Sequence, residues 1–486
     1  MRTLPPFIKI LPFVIVGILL GQVVTLTWWV AVISAAVCTL VGYRLRHKPL
    51  GEVYMAVSIT LWALCTTTLR TPRTIPTPKT PDQWETIITS HPVTSGRWQR
   101  CDAELFLKGG SEKIILQVDT ASTIKLGQRG TLYGYLNPLP EGSYGALMQR
   151  RGYVGQLWAT DQGDWKVTGE QSSPLIYARS VQQQLVGRIE RLNLPKEEEA
   201  VVEAMLLGWR GDISKELRDS YSRAGSSHLL AISGLHVGIV AMLIWWLCWL
   251  LPLSSRRGHI IRNLVAIGAM LLYGVVTGLS PSVVRATIMF CVAQVALIYG
   301  SRRSALNLLS GAAAVMLIVN PNNLFDISFL LSVVAVMGIA LGMEPTMRLL
   351  GGEGGGRMLR SIRGVVVVGL CSTIATLPLV APTFGTVSLV GIFLNPFVIV
   401  TAEIIVLMGF IWVTLPLEFL EPLFRSVVGG AAWLQNRMVE VAADLSWAAI
   451  DVELPGWMVA VGYLLLAIGI VVAMCRKEKR ECKIKI

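Results

Sequence analysis

RGDISKELRDSYSRAGSSHLLAISGLHVGIVAMLIWWLCWLLP, residues 210–252, decides the fold of this chain. A charged segment leads into an apolar run, 227–251, that is long enough to cross a bilayer. His228, Ser233 and His236 lie inside this run, where an unsatisfied polar group would cost several kcal/mol. We therefore predict a membrane helix that lines a path or packs very closely against its neighbours.

The composition of the whole chain predicts a polytopic α-helical membrane protein. Of its 486 residues 53% are hydrophobic, and the mean hydropathy of +0.57 is far above that of a soluble domain. We expect about 11–12 transmembrane helices; the weakest candidate, 424–448, is interrupted by Arg437 and Glu440. The eleven stronger runs are 7–26, 27–43, 53–69, 227–251, 260–277, 280–300, 304–319, 327–343, 364–380, 387–414 and 457–475.

Basic residues occur in alternate loops, and this alternation predicts the orientation of the chain. By the positive-inside rule the N-terminus is cytoplasmic and residues 70–226 are extracytoplasmic. The first apolar run is expected to stay as a helix, since no small-residue cleavage site separates it from the second. These loops explain much of the net charge of +12 without nucleic acid. Their basic residues are Arg44, Arg46, Lys48, Arg256, Arg257, Arg262, Arg302, Arg303, Arg348, Arg357, Arg360 and Arg363.

No pattern in the sequence indicates catalysis. The eight cysteines form no CxxC or Cys/His cluster, and the five histidines are too scattered for a two-metal site. The Gly-rich segment 351–356 lacks the GK[ST] of a nucleotide-binding loop. We therefore predict no enzyme activity, no catalytic residue, no metal and no cofactor.

Residues 70–175 are predicted to form a small inserted β domain. The proline-rich stretch 70–92 predicts a stiff linker. SGRWQRCDAELFL and EKIILQV predict a hairpin, RGTLYGYL a third strand and SYGALMQRRG a helix; YVGQLWA and DWKVTG predict a second hairpin about 161–163. Three strands, a helix and two strands is the order of the OB-fold, a barrel that often binds single-stranded nucleic acid, although other five-stranded barrels fit too.

The candidate nucleic-acid surface of this domain combines cations with aromatic rings. Trp98, Tyr133, Tyr135 and Tyr153 could stack on bases, or they could form the barrel core. Because acidic residues nearly balance the basic ones, we expect weak binding that falls as salt rises. The candidate phosphate contacts are Arg97, Arg100, Lys125, Arg129, Arg150 and Arg151.

Residues 176–226 predict amphipathic helices that lie on the outer membrane surface. Pro195 starts one helix, Asp212 or Ser214 can cap the next, and Gly225 can end it.

The polar residues of the 227–251 run allow two interpretations each. His228 and His236 are eight residues apart, about 80° around a helix, so they could face one lumen or satisfy each other between helices. Ser233 could act as a nucleophile only with a histidine from another helix, and His236 is poorly placed for that. Close helix packing is the better role for Ser233 and Gly234.

Four further polar residues lie in or beside apolar runs. Arg285 follows a predicted helix break and could meet a phosphate or snorkel to the interface. Gln294 is expected to bond across helices, and Asp326 to cap one. Glu403 lies far from either end of its run, so it is predicted to be paired, protonated or water-facing.

Four ordered blocks resemble the ComEC family of bacterial DNA-uptake channel proteins. They are GWRGDISKELRDSYSRAGSSHLLAISGLHVG (208–238), TGLSPSVVRA (277–286), NPNNLFDISFLLSVVAVMG (320–338) and TLPLVAPTFGTVSLVGIFLNPFVI (376–399). The resemblance implies an inner-membrane channel for one DNA strand. It also implies a DNA receptor on the outer side, a cytoplasmic motor and a separate nuclease, because the metallo-β-lactamase-like domain of longer members is not found here.

The expected organisation follows from these patterns and from the resemblance. A three-helix segment (1–69) precedes the β domain (70–175) and the amphipathic helices (176–226); a channel domain (227–475) and a basic tail (476–486) follow. The alternative function is a proton-coupled transporter of small solutes with Glu403 as its proton site. The expected DNA path contains His228, Ser233, Gly234, His236, Arg285 and Glu403.

Overall fold

Apolar helices dominate the structure, as the composition predicts. Among the described residues six helices are long and apolar enough to cross a membrane, and four shorter apolar helices accompany them. The chain is therefore a polytopic helical membrane protein. The predicted run 457–475 falls largely outside the described residues. The computed structural model describes residues 6–24, 27–46, 48–69, 80–107, 110–119, 124–160, 165–250, 255–298, 305–349, 356–415, 418–452, 455, 457–459 and 461–464.

Three apolar helices open the chain and pack together: α1 (Pro6–Val23), α2 (Trp28–Arg44) and α3 (Pro49–Leu69). α3 contacts both of the others. At Gly17 an added Cβ would lie 2.3 Å from the carbonyl oxygen of Thr60, so α1 and α3 approach as closely as their backbones allow. Small residues permit such contacts, in which packing rather than water exclusion stabilises the pair.

A closed five-stranded barrel follows these helices. Its strands pair in the order β1–β3–β4–β6–β5 and close through β1–β5; β4 and β6 are parallel, and the other pairs are antiparallel. Alternate side chains such as Leu105, Leu116, Leu132 and Leu157 fill its core. The elements are β1 (Asp82–Ile88), β2 (Val93–Ser95), β3 (Trp98–Leu107), β4 (Gly110–Asp119), β5 (Gln128–Asn137), α4 (Ser143–Arg150), β6 (Tyr153–Ala159) and β7 (Lys166–Glu170).

The predicted barrel is confirmed, but three details of it are wrong. β1 occupies the end of the segment assigned to a stiff linker. The helix therefore comes between the fourth and fifth barrel strands rather than between the third and fourth. β6 and β7 form no hairpin: β6 is inserted between β4 and β5, while β7 pairs with the start of β5. The β3–β4 hairpin is as predicted.

Among the described residues after the barrel, the regular elements are helices and two short paired strands. A π-helical turn, Arg425–Gly429, joins α15 to α16. The elements are α5 (Pro174–Glu190), α6 (Lys196–Leu207), α7 (Lys215–Arg223), α8 (Gly234–Trp249), α9 (Arg256–Val276), α10 (Pro281–Ile298), α11 (Ala305–Val319), α12 (Ile327–Leu349), α13 (Arg357–Phe384), β8 (Thr386–Ser388), α14 (Gly391–Thr414), α15 (Glu421–Phe424), α16 (Gly430–Ala443) and β9 (Ala449–Asp451).

The helix α6 is buried, although the sequence predicts that this region lies on the membrane surface. It packs against α5, α14 and α16 within the largest hydrophobic core. Even Glu203 is only 2% exposed. Burial, with the nearby charges of Asp212 and Glu199, raises the pKa of the Glu203 carboxyl to about 8, so this side chain is mostly neutral at pH 7.

The weak candidate span 424–448 is not among the helices of spanning length and composition. Its helix α16 buries two amide side chains instead. Gln435 Nε2 donates to the Tyr221 hydroxyl at 3.0 Å, which in turn donates to Asn436 Oδ1 at 2.8 Å. Thr401 Oγ1 donates to Gln435 Oε1 at 3.1 Å. This network joins α7, α14 and α16.

The closure of the barrel by β1 predicts which fragment folds. Residues 80–173, expressed alone, should show one cooperative thermal transition by circular dichroism. Residues 93–170 should not, because without β1 both β3 and β5 lose a partner strand and the core opens to water. Cooperative unfolding of the shorter fragment would contradict this role of β1.

Candidate functional site: a polar cavity where three helices begin

The run 227–251 is helical only from Gly234 to Trp249. Ser233 caps this helix, because its Oγ accepts from the His236 amide at 3.3 Å while His236 Nδ1 accepts from the Ser233 amide at 3.3 Å. The expectation that His228 and His236 share one helix is therefore wrong. His236 is fully buried, and His228, in the preceding turns, is exposed.

The segment before α8, residues 225–233, enters the core without helical structure. Such backbone is tolerated at membrane depth only where it is bonded or faces a water-filled space. Ser282 Oγ donates to the Ile232 carbonyl at 2.6 Å. Gly225 has a φ of +71°, and an added Cβ there would lie 2.6 Å from Ser388, so this turn needs glycine. The entry to α8 is thus built from bonds to other helices.

Three helices begin close together at this point. The Ser282 bond holds the first turn of α10 against the start of α8. Arg285, one turn into α10, donates from Nη1 to Ser328 Oγ at 3.3 Å, in the first turn of α12. Each helix N-terminus carries about half a positive charge. The convergence of α8, α10 and α12 therefore creates a region that favours anions, which the sequence alone did not indicate.

A cavity of about 610 Å3 lies between α8, α10, α11 and α12. Gly234 and Gly238 line it, and a Cβ added at either would meet no atom within 4 Å. The close-packing role predicted for Gly234 is therefore wrong, since it borders open space. The other polar lining residues are Ser282, Arg285, Gln294 and Ser332; the apolar ones include Val237, Ala241, Met242, Trp245, Phe290 and Leu297.

Two buried polar side chains in the cavity lack part of their hydrogen bonding. Arg285 is 7% exposed, so it does not snorkel to the interface, and its Nε has no partner among the described residues. Gln294 is 5% exposed, and within the same ranges its Oε1 has none either, contrary to the predicted bond across helices. A buried unsatisfied group costs about 1–3 kcal/mol, so both side chains are ready to bind a polar ligand.

Asp326 caps α12, as the sequence indicates, and also contacts the barrel. Its Oδ1 accepts from the Ser328 amide at 2.8 Å. Its Oδ2 pairs with Arg151 of the barrel at 3.2 Å, and its side chain is only 12% exposed. One carboxylate thus joins the two parts of the protein beside the cavity.

Arg150 and Arg151 hold the barrel against the membrane helices. Arg150 lies over the Phe325 ring at 4.8 Å and donates to the Phe325 carbonyl at 3.4 Å. Asn322 Nδ2 donates to the Arg150 carbonyl at 3.2 Å. These two arginines, predicted as nucleic-acid contacts, therefore belong to the docking interface. The barrel lies next to the start of α12 because of them.

A second contact holds the other side of the barrel. The His91 ring packs edge-on against Trp209 at 4.9 Å, and its Nε2 is 3.1 Å from the Arg179 carbonyl oxygen. Arg179 also pairs with Asp102 of the barrel at 3.8 Å. Burial lowers the pKa of the His91 imidazole below 6.5, so the ring is neutral at pH 7.

The remaining predicted cations of the barrel differ in their surroundings. Arg97 pairs with Asp119 at 2.8 Å and Arg129 with Glu85 at 2.7 Å. Arg100, exposed, donates to the hydroxyl of Tyr144. Lys125 is exposed in the turn before β5.

Aromatic side chains form a row on the outside of the barrel near Arg100. Arg100, Gln117, Trp158 and Tyr135 are successive cross-strand neighbours on β3, β4, β6 and β5. Trp98 packs edge-on against Trp158 at 5.4 Å. Tyr133 and Tyr135 are 47% and 42% exposed, so neither belongs to the barrel core. Trp158 was not predicted, although it alternates with buried Leu157 and Ala159.

Glu403 lies on the exposed side of α14. Over the described ranges it forms no ion pair within 4.0 Å, so of the three predicted states the paired one is not observed there. No group of three or more His, Cys, Asp or Glu side chains among the described residues could hold a metal ion.

Comparison with known proteins identifies the family of the chain. The model of the Competence protein family matches residues 205–477, more than half of the chain. The chain belongs to the Competence protein family. The matched segment contains α8, α10, α11 and α12, which surround the cavity.

A relative from Bacillus subtilis (strain 168), ComE operon protein 3, is 25% identical over 292 residues. The alignment covers 59% of this chain and 35% of that protein, so the chain matches about a third of its relative's length. No solved structure is significantly similar to the chain.

The different positions of the two histidines predict different effects on stability. His236→Leu should lower the free energy of unfolding by about 1 kcal/mol, because it removes one half of the capping box. His228→Leu should change it little, since that side chain is exposed. Thermal unfolding of the purified protein in detergent checks both, and equal losses would contradict this assignment.

Proposed function

We propose that this protein carries single-stranded DNA through the cell inner membrane during competence, by way of the cavity among α8, α10, α11 and α12. The observation that carries the proposal is the meeting of three helix starts with a buried, incompletely bonded arginine. A strand of DNA has one phosphate per nucleotide, and this region attracts anions. The Competence protein family match covers the same helices.

The barrel is proposed to receive the strand before it reaches the cavity. Exposed aromatic rings bind single strands by stacking on bases of any sequence, at about 1–3 kcal/mol per base. The row with Trp158 and Tyr135, and the nearby cations Arg97 and Arg100, suit this task. The docking through Arg150 and Arg151 keeps the barrel beside the helix starts.

The path assigned to His228, Ser233, Gly234, His236, Arg285 and Glu403 is revised in this proposal. Gly234 and Arg285 face the cavity, and Ser233 orients the first turn of α8. His228 is exposed within the entry segment, where its ring can donate a hydrogen bond to a phosphate. The proposal gives buried His236 a structural role and gives Glu403 none. A DNA receptor, a motor and a nuclease would act with the channel.

Replacing the cavity arginine should block transport without unfolding the protein. Arg285→Gln is expected to reduce uptake of fluorescent DNA at least tenfold in competent cells, because it removes the one cation that the described residues contribute to the cavity lining. Arg285→Lys should keep part of the uptake. Arg437→Gln, which removes an exposed cation of α16, is the matched control and should behave as wild type. Normal uptake by Arg285→Gln at equal expression would refute the cavity as the path.

The proposal also requires the barrel on the extracytoplasmic side, with the N-terminus in the cytoplasm. Gly169 and Gly356 both have open space around an added Cβ, so cysteine fits at each. In a chain whose native cysteines are replaced, a membrane-impermeant maleimide should label Gly169→Cys in intact cells and Gly356→Cys only after lysis. The reverse pattern would overturn the orientation.

A further inference from the structure

Asp326 accepts from one backbone amide and interacts with two arginines. Its carboxylate accepts from the Ser328 amide at the positive end of α12, and it pairs with Arg151 at 3.2 Å. It also interacts electrostatically with Arg285, whose Nη1 bonds to Ser328 two residues along the chain. A helix cap needs only the first of these contacts. The arrangement of an amide and two guanidinium groups around one anion is typical of a phosphate site.

The two arginines differ in their access to the surroundings. The side chain of Arg151 is 39% exposed on the barrel, whereas Arg285 is buried and lines the cavity. An anion that arrives from the barrel therefore meets Arg151 first and Arg285 second. Asp326 pairs with Arg151 and interacts electrostatically with Arg285.

We propose that Asp326 occupies the position of a strand phosphate, so that Arg151 and Arg285 form two successive phosphate sites that share this carboxylate. When a phosphodiester group of single-stranded DNA pairs with Arg151, Asp326 interacts with Arg285 alone. When the phosphate moves to Arg285, Asp326 pairs with Arg151 again. The carboxylate thereby keeps either arginine from holding a phosphate too tightly, and the strand can advance. This inference rests on the proposed function.

The competition has a clear physical sign. Without the carboxylate charge, both arginines would bind phosphate more strongly, since a carboxylate and a phosphate compete for the same guanidinium donors. Binding would become tighter and passage slower. If the Arg151–Asp326 pair were purely structural, its loss would only loosen the docking of the barrel. DNA binding would then become weaker or stay unchanged, and it would not become tighter.

The test uses the whole protein in phosphatidylcholine nanodiscs and a fluorescent 30-nucleotide single strand. Fluorescence anisotropy should show that Asp326→Asn binds the strand about five- to tenfold tighter than wild type, with a steeper dependence on salt. Asparagine can still accept from the Ser328 amide, so the cap is preserved. In cells the same variant should import labelled DNA more slowly. Glu418→Gln, which frees Arg191 from a pair at 2.9 Å elsewhere, is the matched control and should change neither.

A double variant separates the contributions of the two arginines. Asp326→Asn with Arg285→Gln should lose the part of the gain in affinity that Arg285 contributes and keep the part that Arg151 contributes. Unchanged or weaker binding by Asp326→Asn, or a gain that the double variant keeps in full, would overturn the inference. If Asp326→Asn does not fold, Arg151→Gln replaces it: this variant should bind more weakly than wild type and with a shallower dependence on salt, because one phosphate contact is lost. Wild-type affinity, or weaker binding with an unchanged salt dependence, would overturn the shared site. If wild type neither binds nor imports DNA, the proposed function itself fails.

Discussion

The backbone of residues 225–233 must have its hydrogen bonds satisfied inside the membrane domain, and the rest of the site depends on this constraint. A helix that crossed the membrane from residue 227 would bond its own backbone and would need no neighbours. Because α8 begins only at Gly234, Ser233, His236 and Ser282 must supply the missing bonds. The late start also leaves space beside Gly234, and the cavity occupies that space.

The same constraint explains the charges around the cavity. At the start of a helix the first backbone amides have no partner within the helix, so they favour a negative charge nearby. Three such helix starts, those of α8, α10 and α12, meet here. Arg285 strengthens this preference, while Asp326 offsets it at the side of the barrel. A site with cations alone would bind a polyanion too tightly for it to move on. A site without cations would keep a polyanion out, because a charge is unfavourable in a low-dielectric region. With one carboxylate beside its two arginines, this site has an affinity for a polyanion between those two cases.

The sequence predicts those features that depend on local patterns. Runs of apolar residues predict most helices, and alternation of polar and apolar residues predicts the hairpin of β3 and β4. Several alternating strands with one short helix among them were enough to predict a small barrel, although the helix follows the fourth barrel strand and not the third. The break before Pro281 and the cap at Asp326 were also predictable, because glycine, proline and aspartate act on the backbone next to them.

Features that depend on distant contacts could not be predicted in this way. The start of α8 is fixed by Ser282, about fifty residues further along, and the hydropathy of 227–251 gives no sign of it. Arg150 and Arg151 resemble any exposed basic pair, yet they contact residues 175 positions away. The DQWETII strand follows a proline-rich segment, so its partners β3 and β5, rather than its own sequence, reveal it as β1.

A strand that passes where α8, α10 and α12 begin must contact the residues that line the cavity. The most direct measurement stalls a single strand in transit, with a bulky group at one end and photoreactive bases along its length, and locates the cross-links by mass spectrometry. Cross-links to Gly238 of α8 and Met289 of α10, which both line the cavity, are predicted. Cross-links confined to the barrel, or to the exposed face of α2, would contradict passage of the strand through this cavity.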